Sequence, residues 1–277
     1  FYGVRWEQAA ASSPGTAAET ADASHPETAG ASHPATAGAF HPETAEASHP
    51  GMAQPSLTEP APGTGPGRWW IVADRRGMAQ AMLVALKARG HAGQLVTVDD
   101  VQAVLQEALR EPDPRPVRGV IHLSSLDAGL PDGQPGGDVE WLEAAAQSGY
   151  GTALRLAQAL DGLEAPSPLR LVLVTRGAQP AMSAVTAEGV AQAPVWGLGR
   201  VIGLELAVRC TLVDLDPGYT PPDGGVLVAA EALVDALLVE DLEDLVALRP
   251  GGRFVARLVS GQPRDFRVVH SPPPLEE

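Results

Sequence analysis

Positive charge is scarce in this chain. Nineteen Lys and Arg face 34 Asp and Glu, for a formal net charge of −15, and Lys87 is the only lysine. The few cations do not gather into a basic stripe, so the electrostatic footprint of a nucleic-acid binder is missing. The acidic balance itself speaks to solubility and not to a particular function. Cys210 stands alone. Neither an intrachain disulfide nor a cysteine metal cluster can form, as expected in a reducing cytoplasm. No apolar run reaches the roughly 18 residues of a membrane-spanning helix, and no signal-peptide pattern opens the chain. The first residue is Phe1, not Met, which leads us to expect a segment of a longer polypeptide.

The glycines of a nucleotide-binding turn are also missing. Trp69-Trp70-Ile71-Val72-Ala73-Asp74 reads as a first parallel strand, but the turn after it holds one glycine, Gly77. A dinucleotide turn needs G-x-G-x-x-G, so that the pyrophosphate can approach the backbone and the helix N-terminus. A second set is absent too. Short-chain reductase chemistry needs a Tyr and a Lys four residues apart with a Ser nearby, to deliver a proton to a polarised carbonyl. The tyrosines are Tyr2, Tyr150 and Tyr219, and Leu154 stands four residues after Tyr150.

What is present divides in two. From Ala11 to Gly67 the chain is Ala, Pro, Thr, Ser, Glu and Gly, with no Lys or Arg. An eight-residue repeat starts at Ser24-His25-Pro26-Glu27-Thr28-Ala29-Gly30-Ala31, recurs from Ser32 and Phe40, and decays after Ser48. Large apolar residues are too sparse to offset backbone entropy, so disorder is expected. Solenoid repeats are longer and carry an apolar face. His25, His33, His41 and His49 recur at equal spacing, each before a proline. A metal tract is conceivable, but ligands on a disordered acidic linker are costly to gather, and an expanded linker is the preferred reading.

The remainder alternates strands and helices. Helix Met78–Arg89 follows the first strand, with Met78, Met82, Leu83 and Leu86 at helical spacing and Gly90 as its stop. A strand over 94–98 comes next. A helix carrying Val101, Val104, Leu105 and Leu109 follows, capped by Asp99 or Asp100. The pattern continues with strand 117–124, a glycine-rich loop over 129–137, a long helix over 139–160 and strand 169–175. That last strand is apolar enough to be buried on both faces. Pro194 suits a first helical position, and helix 195–207 follows it. Strand 211–215, helix 226–238 and a hairpin of 245–249 and 253–259 complete the series. We expect a mostly parallel, doubly wound, Rossmann-like sheet. Phe1–Trp6 and the hairpin would add antiparallel edge strands.

Few residues suggest chemistry. Gly197-Leu198-Gly199-Arg200-Val201-Ile202-Gly203 is one residue too long for the nucleotide spacing and lacks a preceding strand, so close packing is the preferred reading. His122, with Ser124 and Ser125, lies at a strand's C-terminal end, where ligands bind in open α/β sheets. Without a base or metal partner it reads as a strand-end histidine beside a capping serine. Asp214 and Asp216 read as turn formers before Pro217 and Gly218, and Cys210 as a core thiol.

Several stretches together resemble the structural subdomain of the ketoreductase from modular type I polyketide synthases. They are Phe1-Tyr2-Gly3-Val4-Arg5-Trp6, Gly119-Val120-Ile121-His122-Leu123 and Val174-Thr175-Arg176-Gly177-Ala178-Gln179, with the most specific match over 193–205. Val213-Asp214-Leu215-Asp216, Val246-Ala247-Leu248-Arg249 and Phe254-Val255-Ala256-Arg257-Leu258 complete them. The resemblance implies a truncated short-chain-dehydrogenase-like half that binds no cofactor. It would brace a second half carrying NADPH and the catalytic residues, which reduces β-ketoacyl chains on the phosphopantetheine of an acyl carrier protein. It implies no catalytic, cofactor-binding or metal residue in this chain.

The implied layout is residues 1–10 as first strand, 11–67 as insertion and 68–262 as subdomain. Residues 263–277 would be a linker or the start of an enoylreductase domain, because Phe266-Arg267-Val268-Val269 and Pro273-Pro274-Leu275-Glu276 resemble that domain's entry. Alternative readings are a self-sufficient nucleotide-dependent oxidoreductase and a flavodoxin-like regulatory binding module.

Overall fold

In this computed structural model, residues 2–9 and 65–260 are described, apart from 111, 112, 114, 129–142, 146, 164, 166–168, 220–224 and 240. The histidine repeat, the glycine-rich loop over 129–137 and the stretch 263–277 lie outside the described residues.

Runs of Val, Ile, Leu and Trp bounded by glycine and proline build the sheet. Its strands are β1 (Tyr2–Gln8), β2 (Arg68–Val72), β3 (Ala92–Val96), β4 (Val117–His122), β5 (Arg170–Arg176), β6 (Arg209–Leu215), β7 (Leu245–Arg249) and β8 (Gly252–Ser260). They lie in the order β1-β8-β7-β6-β5-β4-β2-β3. Every pair from β3 through β7 is parallel. β8 runs antiparallel to β7 on one side and to β1 on the other. Only β8 therefore opposes the rest. The expected hairpin forms, with β8 antiparallel to β7, and the first strand pairs antiparallel with β8; β7 also continues the parallel series, and β1 shares that series' direction.

The helices are α1 (Met78–Ala88), α2 (Val101–Arg110), α3 (Thr152–Leu160), α4 (Ala187–Gln192), α5 (Pro194–Glu205) and α6 (Gly225–Leu238). Side chains alternate across β2, so Trp69 and Ile71 point to one face and Trp70 and Val72 to the other. The first face packs against α1 and α6, with Met78, Met82, Leu86, Leu233 and Leu237 in its core. The second packs against α2, α3 and α5, through Leu105, Leu156, Leu160, Trp196 and Ile202. All seven positions of β5 are buried, as a central strand covered on both sides requires.

The long helix anticipated over 139–160 is interrupted. Gln147–Gly151 forms a wide π-helical turn before α3 begins. Gly149 lies within that turn, close to Val195 and Ser125. Among the described residues, no helix is long and apolar enough to cross a membrane.

Candidate functional site

The strand order reverses between β2 and β4, so the C-terminal ends of these strands border the crevice where open α/β sheets bind ligands. The turn from β2 into α1 would supply the phosphate site. Gly77 sits there in the left-handed region at φ 92°, which suits glycine. The amides that could meet a phosphate are already engaged. Asp74 Oδ2 accepts from the N–H of Arg76 at 2.9 Å and of Met78 at 3.1 Å, and Oδ1 accepts from Ala79 at 2.8 Å. Asp127, in the 3-10 turn Ser124–Asp127 after β4, accepts the Arg75 N–H with both oxygens, at 2.9 and 3.1 Å. Burial pushes the Asp127 carboxyl above its ordinary range, and the neighbouring Asp74 charge adds to this. A helix N-terminus attracts an anion; here the chain's own carboxylate takes that place. An incoming pyrophosphate would have to displace Asp74 and approach a second acid.

His122 ends β4, fully enclosed. Its Nε2 lies 2.7 Å from Thr152 Oγ1 and 3.2 Å from Ser124 Oγ. Burial pushes its pKa down to about 4, so the ring is neutral near pH 7. Ser125 Oγ donates to the Val174 carbonyl, tying the 3-10 turn to β5. These groups brace the β4 end, as the strand-end reading expects. Cys210 is a buried thiol pushed up to about 12, chiefly by desolvation, in keeping with a core role. Lys87 lies on α1 and Tyr150 in the turn before α3, on opposite faces of the sheet.

Asp214 corrects the sequence reading. It is not a turn former but the centre of a buried network. Arg249 Nη2 donates to its Oδ2 at 2.6 Å, with both side chains at 2% exposure or less. Thr175 Oγ1 and the Ala178 N–H donate to Oδ1 at 2.7 and 2.9 Å, and the Gln179 N–H to Oδ2 at 3.2 Å. Trp196 Nε1 in turn donates to Thr175 Oγ1 at 2.8 Å. Arg249 also donates to the carbonyls of Gln179 and Ala181, fixing the loop after β5. Asp216 keeps the expected turn role, accepting from the Gly218 N–H at 2.8 Å. Within the glycine cluster of α5, Gly199 packs closely against the sheet, where a Cβ would meet Leu212 at 2.6 Å, whereas Gly197 faces open space.

The model of a family described as polyketide synthase extender module SpnB, Rossmann fold domain, matches residues 4–258. The chain belongs to this family. The polyketide synthase domain is 33% identical over 202 residues to the pikromycin polyketide synthase component PikAII of Streptomyces venezuelae, covering 70% of this chain and 5% of that protein. It is 35% identical over 156 residues to polyketide synthase GfsA of Streptomyces halstedii, covering 56% of this chain and 2% of that one. The chain thus spans a small fraction of these curated relatives. A solved C2-type ketoreductase from a modular polyketide synthase is 31% identical with a TM-score of 0.53, over 71% of this chain and 41% of that one. This is a ketoreductase-related Rossmann domain of a modular polyketide synthase.

Sequence reasoning on this domain missed Asp74, which it left as the last residue of a strand. A signal existed: an acidic residue four positions before the first helical residue, with a glycine between them. The Asp214–Arg249 pair, 35 residues apart, carries no local pattern. Among the described residues, no group of three or more His, Cys, Asp or Glu is placed to hold a metal.

Proposed function

We propose that this domain is the structural, non-catalytic half of a ketoreductase. It braces the NADPH-binding half that reduces carrier-bound β-ketoacyl chains. The observation that carries the reading is the Asp74 carboxylate on the amides of Arg76, Met78 and Ala79. These residues do not fit a dinucleotide pyrophosphate. NADPH and the carrier's phosphopantetheine then belong to other parts of the parent synthase, and no residue here takes a catalytic, cofactor-binding or metal role. In this proposal residues 68–262 with 1–10 form the subdomain, 11–67 are an insertion, and 263–277 lead towards an enoylreductase domain.

The bracing surface in this reading is the outer side of α3 and α5. Leu204 is 87% exposed, and Val201, Leu154 and Tyr150 are each about two-fifths exposed on the same face of the sheet. Apolar surface left open at this density favours a protein partner. Burial is worth roughly 25 cal/mol per Å², so even a modest contact is a large share of a domain's net stability.

Titrating the chain with NADPH, read by nucleotide fluorescence, should show no saturable binding. Micromolar saturation would instead favour a self-sufficient oxidoreductase. Mixing the chain with a separately expressed catalytic half should restore ketone reduction, and Leu204→Glu should weaken that association about tenfold or more. A catalytic half that works equally well alone would end the bracing proposal.

A further inference from the structure

Three arginines are buried in the described fold: Arg170, Arg176 and Arg249. Two have filled sockets. Arg170 donates to Thr211 Oγ1 at 2.9 Å and to the Leu237 carbonyl at 2.7 Å. Arg249 saturates its fork on Asp214 and three loop and strand carbonyls besides the Asp214 carbonyl itself. Arg176 differs. It is 4% exposed at the C-terminal end of β5, and among the described residues its guanidinium makes no hydrogen bond or ion pair. Its Nε is sealed from solvent without a partner, whereas neither Nη is sealed in this way. An uncompensated buried charge is costly, and native folds rarely keep one without a use.

The residue is also held firmly. Its own N–H donates to Gln192 Oε1 at 2.9 Å. The next residue, Gly177, accepts at its carbonyl from the Thr186 N–H at 3.0 Å. The first turn of α4 lies so close that a Cβ on Gly189 would fall 1.9 Å from that carbonyl. The nearby anions are committed elsewhere: Glu188 to Arg76 at 3.8 Å, and Asp74 to three amides. Desolvation, and then the charge of Arg76, lower the Arg176 pKa, and the opposing pull of Glu188 and Asp74 does not outweigh them.

We propose that Arg176 is a preformed receptor for one carboxylate from outside the described chain, gripped by the guanidinium fork beside Arg76 at the C-terminal edge of β5. The planar fork matches a carboxylate in two parallel hydrogen bonds. Local charge favours a monoanion. Arg76 and Arg176 balance Asp74 and Glu188, so a carboxylate leaves one net negative charge and a phosphate dianion leaves two. The carboxylate is a free acid or an acidic side chain of an abutting domain. The inference does not depend on the bracing role.

Acetate carries the chemistry of either source. Added at fixed ionic strength against chloride, it should raise the urea midpoint of the chain saturably. Saturation below about 10 mM identifies a free acid; saturation only above about 100 mM identifies a side chain delivered within a larger assembly, where effective concentration is high. Arg176→Met should unfold at a higher midpoint than the parent without acetate, because an unpaired buried charge is gone, and should ignore acetate. A lower midpoint for the variant, failure of the variant to fold, or an acetate-insensitive parent would overturn the proposal. A larger response to inorganic phosphate than to acetate would overturn the carboxylate assignment.

Discussion

Replacing Arg249 by methionine tests how the end of the sheet is held. The substitution keeps most of the stem's volume and removes the cation from Asp214, whose side chain has no solvent exposure. Breaking a buried pair in this way costs about 3–5 kcal/mol, because a charge is left enclosed without its partner. Thr175, Ala178 and Gln179 still donate to Asp214, which places the expected loss at the low end, about 3 kcal/mol. At about 2–4 °C per kcal/mol for a fold of this size, the melting temperature should fall by about 6–12 °C. Urea unfolding at pH 7 measures the loss directly. Adding Asp214→Asn to Arg249→Met should cost less than the two single losses summed, since the amide no longer needs a cation. A loss under about 1 kcal/mol, the level of an exposed ion pair, would refute the reasoning.

Asp74→Ala removes the acceptor for three amides of the β2–α1 turn and should cost about 1–2 kcal/mol in urea. Amide hydrogen exchange at Met78 and Ala79 should quicken in the same variant. Acid dependence follows from His122, held neutral by burial with a pKa of about 4. The unfolded chain takes up this proton below about 6.5 while the fold refuses it. Stability from this residue is therefore full above about 6.5 and declines as pH falls towards about 4, by up to about 1.4 kcal/mol per unit. His91, also shifted down by burial, acts in the same direction. Urea midpoints from pH 4 to 7 should lose part of this slope in His122→Asn. Finally, Gly189→Ala should destabilise by about 1–3 kcal/mol, because its Cβ would strike a backbone carbonyl. Gly197→Ala, facing open space, should be neutral or slightly stabilising in the same thermal melts.

Period and punctuation made the scaffold legible. The apolar run of β5 announced burial on both faces, and Met78, Met82 and Leu86 announced the inner side of α1. Boundaries shifted where no residue marks them: β3 begins at Ala92, two residues before the expected strand. The π-helical turn at Gln147–Gly151 left no trace in the apolar spacing. Missing glycines pointed to an altered phosphate turn, yet the device that replaces them, a carboxylate folded back on its own helix, was announced only by the spacing of Asp74, Gly77 and Met78. Asp214 failed for a different reason. Before Pro217 and Gly218 an aspartate reads as a turn residue, and its true partner arrives on the next strand, 35 residues later. Arg176 gave no warning either, since solvation is a property of the assembled sheet. Local chemistry was readable; sockets assembled from distant segments were not.

The lone reversed strand has an architectural consequence. Tyr2 pairs with Ser260 and Gln8 with Phe254, so β1 is a zipper closed onto the last strand of the sheet. The polypeptide joins the sheet and departs from it at one doorway. For anyone exchanging such domains between synthases, both splice points sit side by side on the same edge. Sequence changes elsewhere in the domain would then leave the distance between Tyr2 and Ser260 almost untouched.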